Sequence, residues 1–167
     1  MLIYFIMRIV IDSADGCGKS SLIEKLCDEY GTDVLHLTKP GYKQPIGYVE
    51  KAALSNMILD RGFTSEYVYS NYYSRPSEIT KEVFENLLFL YRKIYGWNII
   101  FLYCKPEVAK ERIEQRGIDS EPLEKLEAIN MLYKTLSVDY DIPIIDTSDL
   151  TKEQVFEKAK ELINERN

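Results

Sequence analysis

The sequence predicts a three-layer α/β/α fold built on a five-stranded parallel sheet. Three observations carry that expectation: apolar runs alternate with amphipathic stretches along all 167 residues, a glycine-rich turn joins the first run to the first amphipathic stretch, and the run Trp97–Cys104 is nearly continuous in its apolar character. A strand buried on both faces has no polar side to show, whereas a half-exposed strand alternates. The length suits a single domain, 1–167, and no repeat or linker interrupts it.

The first strand is expected over Met7–Ile11, followed by the turn Asp12-Ser-Ala-Asp-Gly-Cys-Gly-Lys-Ser-Ser21 and a helix leaving from Ser20. The turn follows the spacing G-x-x-x-x-G-K-[ST], with Ser13 at the first position and Gly18, Lys19 and Ser20 in register. Its chemistry is electrostatic. Gly16 and Gly18 allow successive backbone N–H groups to turn toward an oxyanion, Lys19 reaches the outer phosphates, and Ser20 offers a hydroxyl to Mg²⁺. The positive end of the following helix points at the same place. Cys17 reads as a small residue filling the loop.

Leu22, Ile23, Leu26 and Cys27 recur at helical spacing up to Gly31, and a second strand is expected over Thr32–Leu37, with His36 read as structural. Proline and glycine in Thr38-Lys-Pro-Gly41 end it. A short helix from Ile46 to Ser55 precedes a third strand, Asn56–Leu59, with Asp60-Arg61 at its carboxyl end, where open α/β sheets bind ligands. Ser65 is expected to cap a tyrosine-rich helix that runs toward Arg75, and Thr80 to cap a helix with the stripe Val83, Phe84, Leu87, Leu88, Tyr91 and Ile94.

The fourth strand is expected over Trp97–Cys104, and Pro106 opens the next helix. Arg112 and Arg116 stand one turn apart on it and lead into the polar segment Gly117–Glu121, so a lid is expected around 112–121. A helix over Pro122–Leu136, a strand over Ile142–Ile145 and a helix announced by the capping box Thr151-Lys-Glu-Gln154 complete the chain.

Composition narrows the function. The net charge is −6, from 27 acidic and 21 basic residues, which disfavours a broad nucleic-acid surface. A single histidine excludes His-based triads and zinc centres. Three cysteines without ligand spacing imply reduced thiols, and the absence of a long apolar run or signal-like start leads to the expectation of a cytoplasmic protein without membrane contact.

With these residues placed, the sequence resembles the thymidylate kinase branch of the P-loop nucleoside and nucleoside monophosphate kinases. The loop is similar to that family's E-G-x-D-G-x-G-K-[ST]-[ST]. Thr38–Gly41 with Pro45-Ile-Gly47 resembles its T-R-E-P-G-G-T-P-x-G segment. Asp60-Arg61 with Ser65 and Tyr69 resembles D-R-Y-x-x-S-x-x-A-Y. Lys105–Ala109 with Arg112, Arg116 and Gly117 resembles P-P-E-V-A-x-x-R-x-x-x-R-G, and Ile144–Ser148 resembles the I-D-A-S turn beside the adenine. The resemblance implies a P-loop NTPase fold, ATP and Mg²⁺ as cofactors, and ATP-dependent phosphoryl transfer to a (deoxy)nucleoside monophosphate. A deoxynucleoside 5′-hydroxyl acceptor and a non-catalytic nucleotide-binding module stay open as alternatives. The expected partner is a small nucleotide or nucleoside acceptor, and a homodimer is an allowed assembly.

By the same resemblance Asp15, Gly16, Cys17, Gly18, Lys19, Ser20, Ser21, Thr147 and Ser148 bind the ATP, and Ser20 and Asp60 serve the metal. Lys19, Arg116, Arg112, Arg61 and Asp12 are the expected catalytic set, with Asp12 at the family's glutamate position and the arginines neutralising transferred charge. Asp15, Lys39, Pro40, Arg61, Ser65, Tyr69 and Arg75 are expected at the acceptor. Two departures concern the base: the family's base-holding segment has almost no room between Gly47 and Asn56, and Ser70 replaces the glutamine after the tyrosine.

Overall fold

The computed structural model describes residues 7–37, 44–119 and 121–165. Within them β1 (Arg8–Ser13), β2 (Asp33–His36), β3 (Met57–Asp60), β4 (Asn98–Tyr103) and β5 (Ile144–Asp146) form one parallel sheet in the order β2-β3-β1-β4-β5. The predicted five-stranded parallel α/β fold is the one observed. The first strand lies at the centre, where Ile9, Val10 and Ile11 are fully buried. All carboxyl ends therefore open on one edge, and the turns that follow them converge there.

Helices α1 (Lys19–Tyr30) and α7 (Lys152–Asn164) pack on each other, while α3 (Phe63–Tyr72), α4 (Lys81–Phe89), α5 (Pro106–Glu114) and α6 (Leu123–Tyr140) form a separate group. The short α2 (Pro45–Ala52) leans on α4. Predicted end signals act as chemistry requires. Gly31 closes α1 at φ 58° and returns its N–H to the Cys27 carbonyl, Thr80 accepts from Val83 N, and Thr151 and Gln154 make a reciprocal capping box.

Several local expectations are corrected. Ser65 does not cap α3. The helix starts at Phe63, because that ring is buried among Tyr48, Phe84 and Tyr91, and Ser65 becomes an interior residue whose N–H bonds Gly62 O. The stripe after Thr80 is not one α-helix, since Leu90–Ile94 forms a π-helical turn. The wider turn shifts the phase, leaving Ile94 exposed and sending the Tyr91 hydroxyl to the Tyr48 carbonyl at 2.8 Å. The helix α5 ends at Glu114, so Arg116 stands in the following turn and does not share a helical face with Arg112. The last strand starts two residues late, because Pro143 has no N–H to give to a ladder.

Residues 1–6, Lys39 and Pro40 in the Thr38–Gly41 turn, and Ser120 of the expected lid lie outside the described residues. No helix among the described residues is long and apolar enough to cross a membrane.

Candidate functional site

Gly16 and Gly18 adopt φ of 79° and 91°, the left-handed region the loop needs for its inward amides. Gly16 is demanded twice. A Cβ there would stand 2.5 Å from the Ala109 carbonyl oxygen at the first turns of α5, so backbone packs directly on backbone. Ser13, the departure from the motif, is buried and its hydroxyl bonds the Ala14 carbonyl at 2.8 Å. The loop is pinned on its other side by Thr147, whose hydroxyl donates to the Cys17 carbonyl at 3.0 Å. The Cys17 thiol faces inward, 3.7 Å from Asn130 Oδ1, and burial, with Cys104 nearby, pushes its pKa up. It is filler, protonated and shielded.

Lys19 forms an ion pair with Asp60, the last residue of β3. The other Asp60 oxygen meets His36 Nδ1 at 2.5 Å. His36 was expected to be structural on the ground of its apolar flanks, but its side chain is 60% exposed at the carboxyl edge of the sheet. No local signal marked it, because the Asp60 that it meets comes from β3.

Arg61 takes a left-handed backbone (φ 68°) as the chain turns from β3 into α3, and its N–H bonds the Ile11 carbonyl. The turn sends its guanidinium to Asp15 Oδ1 at 2.8 Å. The Tyr69 ring lies 5.4 Å from that guanidinium, and its buried hydroxyl has no hydrogen-bond partner among the described residues. Arg75 grips Glu66 with two bonds of 2.7 and 2.8 Å, and Ser77 adds a third to the carboxylate. Glu66 gave no motif signal and was missed.

Asp12 is not at the surface of the site. Its carboxylate is fully buried, receiving Tyr133 OH at 2.7 Å, Thr64 Oγ1 at 2.6 Å and Ser13 N at 3.0 Å. Burial raises its pKa above the ordinary value of 3.8 despite those bonds. Arg112 is likewise engaged, with its guanidinium on the Thr147 carbonyl at 2.8 Å, the Thr147 hydroxyl at 3.1 Å and Cys104 Sγ. Ser148 is also committed, because its hydroxyl donates to Asp146 at 2.6 Å and accepts from Lys105 N. Arg116 is exposed.

Three cavities surround the loop. One of about 280 Å³ runs over Ala14–Ser20 and reaches Arg116 and Ile118. A second, about 420 Å³, is bounded by Gly18, Ser21, Arg112, Arg116, Thr147 and Val155. A third, about 210 Å³, is walled by Tyr48, Arg61, Ser65, Glu66, Tyr69 and Arg75. Arg116 belongs to the first two, while the Arg61–Asp15 pair links the third to the loop. The oxygen donors of Ser20 and Asp60 fit a hard cation such as Mg²⁺.

No protein-family model and no curated protein sequence matches this chain. Solved structures do resemble it. The YorR protein of Bacillus subtilis, determined in complex with phosphorylated GDP, superposes with a TM-score of 0.79 at 18% identity over 95% of this chain and 96% of its own. The deoxyadenosine kinase of M. mycoides, determined with dCMP and dCDP, gives 0.64 at 18% identity over 96% and 100%. A gluconokinase of Sinorhizobium meliloti 1021 gives 0.65 at 14% identity over 95% and 92%. At these identities the likeness establishes a shared fold.

Proposed function

We propose that this protein transfers a phosphoryl group from ATP to a nucleoside monophosphate. The observation that carries the reading is the arrangement of cavities. A glycine-turned loop with Lys19 lies between a donor-side pair of cavities joined by Arg116 and an opposite cavity reached through Arg61 and Asp15. Cavities along the loop, and one joined to it through the Arg61–Asp15 pair, suit two phosphorylated substrates in line. The names of the structural neighbours, a deoxyadenosine kinase and a gluconokinase among them, support ATP-dependent phosphoryl transfer in general and do not single out the acceptor.

ATP would place its phosphates against the amides of Asp15–Ser20, its base in the cavity edged by Ser21, Leu22 and Thr147, and draw Lys19 away from Asp60. Ser20, and Asp60 through water, would hold Mg²⁺, which when bound would supply charge that offsets the phosphate oxygens. Arg116 is the arginine free to swing over the transferred group. Arg112 and Ser148 act indirectly, holding the Thr147 turn that carries the donor cavity. On the acceptor side Arg61 would take the phosphate and the Tyr69 hydroxyl a sugar oxygen, while Ser65 and the Glu66–Arg75 pair bound the base end. Asp12 holds strand and helices together rather than moving a proton. That favours the monophosphate, an anion that needs no base, over a nucleoside hydroxyl.

Incubation with Mg²⁺-ATP and a panel of nucleosides, nucleoside monophosphates (thymidylate included) and gluconate tests this. ADP release is expected with a monophosphate, and Lys19→Ala should lower it at least about 100-fold without lowering the melting temperature. Turnover confined to nucleosides would move the reading to the nucleoside kinase alternative, and no acceptor-dependent ADP would end it.

A further inference from the structure

The His36–Asp60 contact has no counterpart among the motifs above, yet the backbone builds it deliberately. In the parallel pairing of β2 with β3, His36 and Asp60 are direct register partners, and Leu37 N bonds the Asp60 carbonyl just beyond them. Both side chains therefore leave the same edge of the sheet side by side. The imidazole meets Asp60 Oδ2 while Lys19 meets Oδ1, so each carboxylate oxygen has its own partner. A side chain that is 60% exposed contributes little packing, and the contact is the visible consequence of its identity.

We infer that His36 is a positioning residue for the metal-side carboxylate. Its Nδ1–H, donated to Oδ2, fixes the rotation of the Asp60 carboxylate, so that Oδ1 continues to face the phosphate loop after a triphosphate has taken Lys19. Held in this way, Oδ1 meets a water of the Mg²⁺ shell without first reorienting. Without the histidine the carboxylate turns freely about its terminal bond, and part of the binding energy goes into ordering it. The imidazole touches neither the nucleotide nor the metal in this scheme. The inference rests on the reading of the loop as a Mg²⁺-ATP site.

The test is equilibrium binding of a fluorescent ATP analogue with saturating Mg²⁺ and with EDTA, on the wild type and on His36→Ala and His36→Asn, each shown by its melting curve to be folded. Asparagine keeps an N–H donor near the Nδ1 position. In His36→Ala the Mg²⁺ concentration needed for tight binding is expected to rise about 10-fold or more, with EDTA binding unchanged, and His36→Asn should restore most of it. Equal Mg²⁺ dependence in wild type and His36→Ala overturns the inference, as does an equal loss in both variants. Absence of analogue binding to the wild type would instead overturn the underlying reading.

Discussion

Gly16 shows how a single residue can be set by its surroundings rather than by its ligand. Alanine there would bring a methyl to 2.5 Å from the Ala109 carbonyl oxygen in a backbone region that L-residues seldom occupy. Gly16→Ala is expected to cost about 1–3 kcal/mol in urea unfolding, with the loop displaced from α5. The same substitution at Gly18 meets no atom within 4 Å and carries only the backbone cost. The motif marks both glycines alike, so their difference was not legible in the sequence. It depends on α5, some ninety residues away, being laid against the loop. The positions of Lys19, Ser20 and Arg61 were legible, because each sits beside a strand end or at a helix start whose place the apolar pattern announces. His36 and Glu66 were not: the partners that define them come from β3 and from the turn after α3, and neither pairing leaves a local pattern.

Among elements, the end signals at Gly31, Thr80 and Thr151–Gln154 are where sequence and structure agree most closely, since each involves only a few consecutive residues, whereas the expected cap Ser65 lies inside α3. Thr80→Ala should destabilise the protein by about 1 kcal/mol, read as a lower urea midpoint, because Val83 N loses its acceptor at the open end of α4. Element interiors were less predictable. The apolar stripe from Val83 to Ile94 fits one helix, yet the chain takes a π-helical turn at Leu90–Ile94. Burial of Tyr91 with its hydroxyl on the Tyr48 carbonyl of α2, and of Trp97 with its indole N–H on the Ala52 carbonyl, favours that wider turn. The start of α3 moved for a related reason, since Phe63 is worth more in the aromatic cluster than Ser65 is as a cap.

At the scale of the molecule, Asp12 joins three elements. It sits in β1, and Thr64 of α3 and Tyr133 of α6 both donate to it in a site without solvent. A carboxyl whose folded pKa lies above its unfolded 3.8 binds its proton more tightly when folded. It therefore stabilises the fold at low pH, and that contribution declines as pH rises from about 3.8 through the raised folded value. Asp12→Asn, whose amide can accept from Tyr133 and donate to Thr64, should flatten this decline. Urea midpoints measured across pH should thus fall more steeply for the wild type than for the variant, and parallel curves would show that Asp12 does not titrate as inferred.

The sequence by itself determined the parallel α/β architecture, the glycine-rich loop, most elements to within a few residues and the strand end that carries Asp60 and Arg61. Those properties follow from periodicity and from turn and cap chemistry, which act over a few residues. Only the tertiary structure decided what each polar group faces. It placed Asp12 inside rather than at the site, bound Arg112 and Ser148 to the Thr147 turn, left Arg116 exposed, and set His36 beside Asp60. The reason is that a polar side chain's role depends on which donors, acceptors and solvent surround it. In a sheet ordered β2-β3-β1-β4-β5, those neighbours come from segments far apart in the chain.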